Sequence, residues 1–251
     1  MKVVLFCIGI SLMASAFMPH KQKNINNDLA RENLKGRVKT VEEKTWYVGY
    51  EKQKPVFWNR QTYDVHGNML KYEDMNDSAR TFGSRSYTYN ASGYRIERSP
   101  DGGSGDRTIY IYDTIGRLSE TNRYSPDGHS IQHVFMKYDM YDKLIEEQSL
   151  CGDVPNGRTE YKYEKGLLKH EYQYSDFYEG NYGLIRHYVF DTKGDIALLE
   201  TYNQQQKVMH EDRYRNMVYD YRGNRTGWRV DVKRMKGGPY ASVTKRVITY
   251  Y

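Results

Sequence analysis

The chain has 251 residues, 38% of them hydrophobic, with 38 Lys and Arg against 32 Asp and Glu for a formal charge of +6. That length suits one large domain or two ordinary ones with a sizeable core. The charges are spread along the chain, which speaks for solubility and against a nucleic-acid surface, and 26 tyrosines make the apolar material largely aromatic with hydroxyl handles.

The first 16 residues stand apart. Lys2 precedes an apolar run from Val3 to Met13, followed by Ala14-Ser15-Ala16, the small-x-small pattern of a signal-peptidase site. The run is too short to span a bilayer, so residues 1–16 are expected to be a signal peptide cut before Phe17, with no transmembrane segment after cleavage. A lipid anchor on Cys7 is the lesser alternative, because Phe6 stands where a lipobox has a small residue. Without the leader only Cys151 is left, and no disulfide can form within the chain. Residues 17–36 form an N-terminal segment in which Asn27–Gly36, NDLARENLKG, predicts a short helix with a polar start and a terminal glycine. Residues 37–251 read as a single β domain, beginning with the strand RVKTVEEKTWYV.

That domain is written in a recurring phrase. Aligned on an aromatic residue, the copies are YDVHGNML from Tyr63, YNASGYRI from Tyr89, YDTIGRLS from Tyr112, YSPDGHSI from Tyr124, FDTKGDIA from Phe190 and YDYRGNRT from Tyr219. Degenerate copies start at Tyr138, Tyr163 and Tyr202. Their spacing corresponds to one or two strand-plus-turn units. Asp, Asn or Ser after the aromatic residue accepts a backbone N–H two residues on, and the following Gly supplies the left-handed conformation that closes a hairpin loop. Asp64, Gly67, Asn90, Gly93, Asp113, Gly116, Asp127, Gly128, Asp191, Gly194, Asp220 and Gly223 are therefore assigned to turns.

Alternating residues on both sides of each turn predict strands. The pairs Tyr87 and Tyr89, Tyr110 and Tyr112, Tyr161 and Tyr163, and Tyr172 and Tyr174 each project from one face of their strand, giving a tyrosine face and a wetter face. From Ile131 to Tyr138 both faces carry apolar residues. About fifteen strands follow Arg37, more than a twisted open sheet holds without curling. The expected fold is all-β: a long antiparallel meander of repeated hairpins, either a curled single sheet or a barrel or shell.

The Tyr-Asp-x-x-Gly phrase, over about Tyr63 to Gly227, resembles the YD repeats of the RHS family, whose large members wind hairpins into a hollow β shell. LKGRVKTVEEKTWY, Leu34–Tyr47, is similar to the start of exported YD-repeat-like proteins of Bacteroides relatives. The resemblance implies repeat architecture; the encapsulating role of the large members does not transfer, because this chain is too short to enclose a toxin. Locally, YDYRGNRTGW, Tyr219–Trp228, is similar to one glucan- or choline-binding repeat of cell-wall proteins.

Chemistry is sparse. His129 and His133 are four apart on a predicted strand, too far for one metal without a turn between them. His66, His170, His187 and His210 stand singly, and neither a cofactor nor a metal is expected. There is no nucleophile elbow or phosphate loop, and the phrase carboxylates already serve turns. The expectation is a non-enzymatic exported scaffold binding an envelope glycan or protein through aromatic residues, with Trp58, Trp228, Tyr110 and Tyr112 as candidates. The alternatives are an assembly protein pairing through sheet edges and a carbohydrate-active enzyme.

Overall fold

A computed structural model of the chain describes residues 28–49, 51, 54–76, 79–101, 105–176, 182–234 and 240–251. The expected signal peptide and its cleavage point lie outside them. A four-residue helix, α1 (Asp28–Arg31), opens the described chain. Sixteen strands follow: β1 (Val38–Tyr47), β2 (Phe57–Tyr63), β3 (Met69–Met75), β4 (Thr81–Tyr89), β5 (Arg95–Pro100), β6 (Arg107–Tyr112), β7 (Leu118–Tyr124), β8 (Ser130–Tyr138), β9 (Leu144–Cys151), β10 (Val154–Glu164), β11 (Leu167–Asp176), β12 (Tyr182–Phe190), β13 (Ile196–Tyr202), β14 (Val208–Tyr219), β15 (Arg225–Arg234) and β16 (Tyr240–Tyr250). Each pairs antiparallel with its neighbours, and β1 pairs with β16, so the meander closes into a barrel. The sequence left closure open and counted one strand too few. The helix is also shorter than Asn27–Gly36: after one turn the backbone turns over at Asn33 with φ 52° and runs extended into β1.

The phrase writes the turns as its residues predict. In YDTIGRLS, Asp113 Oδ1 accepts the N–H of Ile115 at 3.1 Å and also that of Arg117 at 2.8 Å, while Gly116 N–H donates to Asp113 O. Gly116 has φ +87°, and a Cβ there would run into the Tyr94 hydroxyl, so both conformation and space demand glycine. Two of the three degenerate copies keep the same backbone without it, with Asp142 and Gln206 in the glycine position at φ 61° and 58°, while the shorter copy at Tyr163 turns through Lys165 and Gly166, both at positive φ. In each hairpin that carries the phrase the register shifts just before the aromatic residue, as between Thr62 and Tyr63 or Ile111 and Tyr112, so each of these hairpins carries a bulge beside its turn.

Because turns alternate between the two ends of an up-and-down barrel, the copies divide. Those at Tyr63, Tyr89, Tyr112, Tyr138, Tyr163, Phe190 and Tyr219 lie at one end, and those at Tyr124 and Tyr202 at the other. At the first end the phrase tyrosine of one hairpin donates its hydroxyl to the carbonyl opposite the phrase tyrosine of the hairpin before. Tyr89 reaches Met69 O at 2.7 Å, Tyr112 reaches Arg95 O at 2.9 Å, Tyr138 reaches Leu118 O at 2.7 Å and Tyr163 reaches Leu144 O at 3.0 Å. These bonds staple successive hairpins to one another. Beyond the first turn hydrogen bond, this is the second duty of the phrase tyrosine.

The N-terminal segment lies across this same end. Leu29 N–H donates to Gly67 O at 3.3 Å, Asn33 donates to Lys193 O at 3.0 Å, and buried Asn224 bonds both Lys35 N–H (2.6 Å) and Lys35 O (2.9 Å). Leu29 and Leu34 pack with Val38, Val41, Tyr63 and Met69 into the largest apolar cluster. Asp28 anchors it: its buried carboxylate pairs with Arg95, accepts from the Tyr89 hydroxyl, and takes the Met69 N–H at 2.8 Å. The barrel is thereby plugged at the end where the phrase turns are gathered.

Candidate binding lumen

Register sorts the side chains into two faces. One face carries the buried residues Val41 of β1, Asn59, Gln61 and Tyr63 of β2, and Trp228, Val230 and Val232 of β15. Following the pairing around the barrel adds Tyr72, Tyr87, Tyr110, Tyr161, Tyr188 and Tyr214 to that face. This is the inner face. The other face carries exposed ion pairs, often two residues apart on one strand: Glu42 with Lys44 and Arg60, Lys71 with Glu73, Arg158 with Glu160, Arg213 with Glu211, and Arg229 with Asp231. This is the outer face, and charges stand on it from β1 round to β15.

The predicted tyrosine face is thus the inner one for three of the four pairs. Tyr172 and Tyr174 are the exception. Tyr172 stands on the outer face, stacked on His187 at 4.5 Å between centroids, in a cluster with His170, Glu200 and Tyr202. Sequence treats these histidines as isolated, because only the register of β11 against β12 brings them together. Burial and the neighbouring His187 hold His170 below its ordinary pKa. Among the described residues no group of three or more His, Cys, Asp or Glu is placed to hold a metal.

The four aromatic candidates separate. Trp228 is 8% exposed and points inward between Arg225 and Arg246, whose guanidinium carbons stand 4.2 and 5.1 Å from its ring centroid. It is therefore not among the exposed aromatics that sequence had expected; the basic side chains on both sides already occupy it. Trp58 is on the outer face with Lys44 Nζ at 4.0 Å over its ring. Tyr110 lines the lumen beside Arg95, and Tyr112 belongs to the hydroxyl staple. Of the turn candidates, Asp64, Asn90, Asp113, Asp191 and Asp220 each accept the N–H two residues on. Asp127 instead accepts from the Ser125 hydroxyl, since Ser125 holds the leading position there. Gly67, Gly93, Gly116, Gly128, Gly194 and Gly223 all have positive φ. Cys151 is exposed and free.

Sixteen strands leave an interior wider than side chains fill, and among the described residues the lumen retains open space toward the end opposite the plug, the open end, which no described segment crosses. One cavity of about 400 Å³ is lined by Arg85, Arg98, Asp106 and Arg123 with Gly83, Ser84 and Pro100. Another, of about 310 Å³, includes Gln132, Glu147, Ser149, Thr159 and Gln173. These residues belong to one level of the barrel. Arg98 pairs with Thr108, Thr108 with Arg123 and Arg123 with Gln132; Gln132 Nε2 donates to Ser149 Oγ at 2.7 Å; and Thr159 pairs with Gln173, which pairs with Arg186. A belt of amide, hydroxyl and guanidinium groups thus runs along the lumen wall from β5 to β12. Single-strand alternation shows each polar residue but not that neighbouring strands set them level.

Carboxyls deeper in the lumen feel the protein around them. Desolvation raises the pKa of Glu171 and of Asp212, although Gln173 donates to Glu171 at 2.7 Å. Tyr214 is pushed up to about 12, first by burial and then by Asp212. Glu32, from the plug, is exposed and yet raised by desolvation, with Arg246, Glu43, Asp28 and Arg95 around it. Water reaches it within a space walled by protein.

Fold and lumen together define a hollow, sixteen-stranded up-and-down β-barrel. A crystal structure of a porin-like protein from Bacteroides uniformis is similar to it, with a TM-score of 0.60 and 11% sequence identity, covering 84% of this chain and 96% of that one. At that identity the likeness is one of fold. No protein-family model matches the chain, and no curated protein matches it.

Proposed function

We propose that this protein is an exported, non-enzymatic barrel that holds an oligosaccharide in its lumen while its outer face stays in water. The observation that carries this reading is the polar belt near the open end. Gln132, Ser149, Thr159 and Gln173 offer donors and acceptors at one level, and Tyr110 and Tyr161 stand on the same inner face, the pairing of hydroxyl-matching groups with ring faces that sugars need. The outer face argues for water. A lipid-facing barrel has an apolar band roughly 25 Å tall, whereas here Lys44, Arg60, Lys71, Arg158 and Arg213 stand on the outer face in ion pairs.

Two alternatives lose ground. Strand pairing with a partner needs a free edge, and the β1–β16 pairing leaves none in this sheet. A glycosidase needs two carboxyls flanking the scissile bond; Glu147 and Glu171 lie on one wall, on strands β9 and β11, with Tyr161 of β10 between them. The leader-like residues 1–16 support a location in the periplasm or at the cell surface.

Titration calorimetry of the mature chain with a panel of neutral envelope oligosaccharides tests the reading. Binding is expected, with Thr159→Trp, which fills the lumen, abolishing it and Trp58→Ala leaving it intact. Loss with Trp58→Ala and none with Thr159→Trp overturns the lumenal site, as does the absence of binding across the panel. Mature protein that requires detergent to remain dispersed overturns the water-facing exterior.

A further inference from the structure

We infer that the arginines of the open end, centred on Arg98, take the carboxylate of an acidic sugar, so that the ligand class is a uronate-containing oligosaccharide. The inference rests on the lumenal reading above and narrows it.

Three guanidinium groups line the 400 Å³ cavity from β4, β5 and β7. Register sets them close. Arg98 and Arg123 are both paired with Thr108, which puts their backbones two strand spacings apart, about 10 Å, and Arg85 stands one inward position along β4 from Tyr87, the partner of Arg98. Their electrostatic situations differ. Arg123 is held by Asp106, with its Nε at 3.0 Å. Arg85 is held by Asp74 at 3.3 Å and leans on the Tyr72 ring. Arg98 donates from Nη2 to the Thr108 hydroxyl at 2.9 Å, and among the described residues no carboxylate lies within ion-pair distance of it. Three other inner-face arginines have carboxylate partners, Arg246 with Glu43, Arg95 with Asp28 and Arg225 with Asp195, while Arg186 of the belt stands on β12, away from this cavity.

A half-buried guanidinium without a counterion, flanked by two more and facing a cavity, is a site for an anion. A carboxylate fits better than a bare ion, because Arg123 pairs directly with Gln132, and Gln132 and Ser149 line a second cavity of the lumen and match hydroxyls rather than charge. The planar guanidinium fork accepts a carboxylate through two parallel hydrogen bonds, and the rest of the sugar chain then lies along the neutral part of the belt. Acidity is read at one wall and sugar identity at the next.

The test compares oligogalacturonate, its carboxyl-reduced neutral counterpart and a sulfated oligosaccharide of similar length by titration calorimetry with the mature chain. Oligogalacturonate is expected to bind about tenfold tighter than the neutral counterpart, the effect of one charge-assisted pair. Arg98→Gln should abolish that preference, so that the acidic and neutral chains bind the variant with equal affinity, and Arg98→Lys should restore part of it. Thermal melting of each variant confirms that it folds, and Arg85→Gln provides a second probe of the same cavity if Arg98→Gln does not. Equal affinity for the acidic and neutral chains overturns the arginine site while the lumenal reading survives on neutral binding. A sulfated chain that outbinds the uronate overturns the carboxylate assignment. Uronate preference that persists in both Arg98→Gln and Arg85→Gln places the anion elsewhere.

Discussion

The two ends of the barrel use the same phrase for different ends of the same job. At the plugged end, the tyrosine of YDTIGRLS sends its hydroxyl to Arg95 O, one link in a series that ties hairpin to hairpin, and the N-terminal segment lies over the turns through Asp28 and Asn224. At the open end, the phrase YSPDGHSI makes the same turn, with Ser125 N–H to His129 O at 2.9 Å, but its Tyr124 has the Arg107 guanidinium over its ring in place of a backbone staple. The Asx-and-glycine part of the phrase makes a turn anywhere. Whether the tyrosine also joins neighbours is decided by which end the turn falls on. One end is built as a closed, cross-linked floor, and no described segment crosses the other.

The contrast can be broken most strongly at the plug. Asp28→Ala leaves Arg95 buried without its carboxylate and the Met69 N–H and Tyr89 hydroxyl without their acceptor, and should cost about 3–5 kcal/mol in chemical denaturation. A loss under about 1 kcal/mol would mean that the plug contributes little to closing that end. A smaller and more direct comparison pairs two conservative changes. Tyr112→Phe deletes a staple and should cost about 1 kcal/mol, whereas Tyr124→Phe should stay within about 0.5 kcal/mol; equal losses would erase the distinction between the ends. The smallest effect lies in the lumen between them. Burial raises the Glu171 pKa, so its ionised form is disfavoured in the folded state. The wild type carries that penalty above the raised folded pKa and sheds it as pH falls toward the ordinary carboxylate value. Glu171→Gln should therefore melt at or above the wild-type temperature at neutral pH, and its advantage should shrink on acidification. An advantage that grows on acidification reverses the assigned sign.

Much of this barrel was legible in the chain because its decisive signals are local. Asp113 and Gly116 write a turn by themselves, and alternation in IYIY writes the strand before it, so hairpins, the antiparallel meander and the strand count to within one were readable. Closure was not, because β1 and β16 are paired through residues some two hundred positions apart, and their sequences carry the same alternation as any other strand. The site was less legible for the same reason. Arg98, Arg123 and Gln132 are unremarkable on their own strands and become a belt only through the register of neighbouring strands. Sequence offers Trp228 as an exposed aromatic, yet the ring is buried between Arg225 and Arg246, the second of which only the pairing of β15 with β16 brings to it. Asn224-Arg-Thr226, a glycosylation triplet by sequence, is closed to modification by the burial of Asn224 against Lys35 and Tyr250.

The seam between β1 and β16 is the last place where this chain becomes a barrel. There Thr40 and Thr249 share a hydroxyl hydrogen bond at 2.5 Å, Thr45 and Thr244 another at 2.8 Å, and Arg246 meets Glu43 at 2.9 Å. Tyr251 then returns to Arg37 and Tyr63 through its N–H and hydroxyl. Every other strand pairing links elements close in sequence and can form as the chain emerges, but the seam joins the first strand to the last. Until the final strand arrives, β1 is an unpaired template for another molecule's strand. Folding of the chain thus has a defined moment of vulnerability: a molecule arrested before its last strand has two open edges, each a template for a strand of its neighbours.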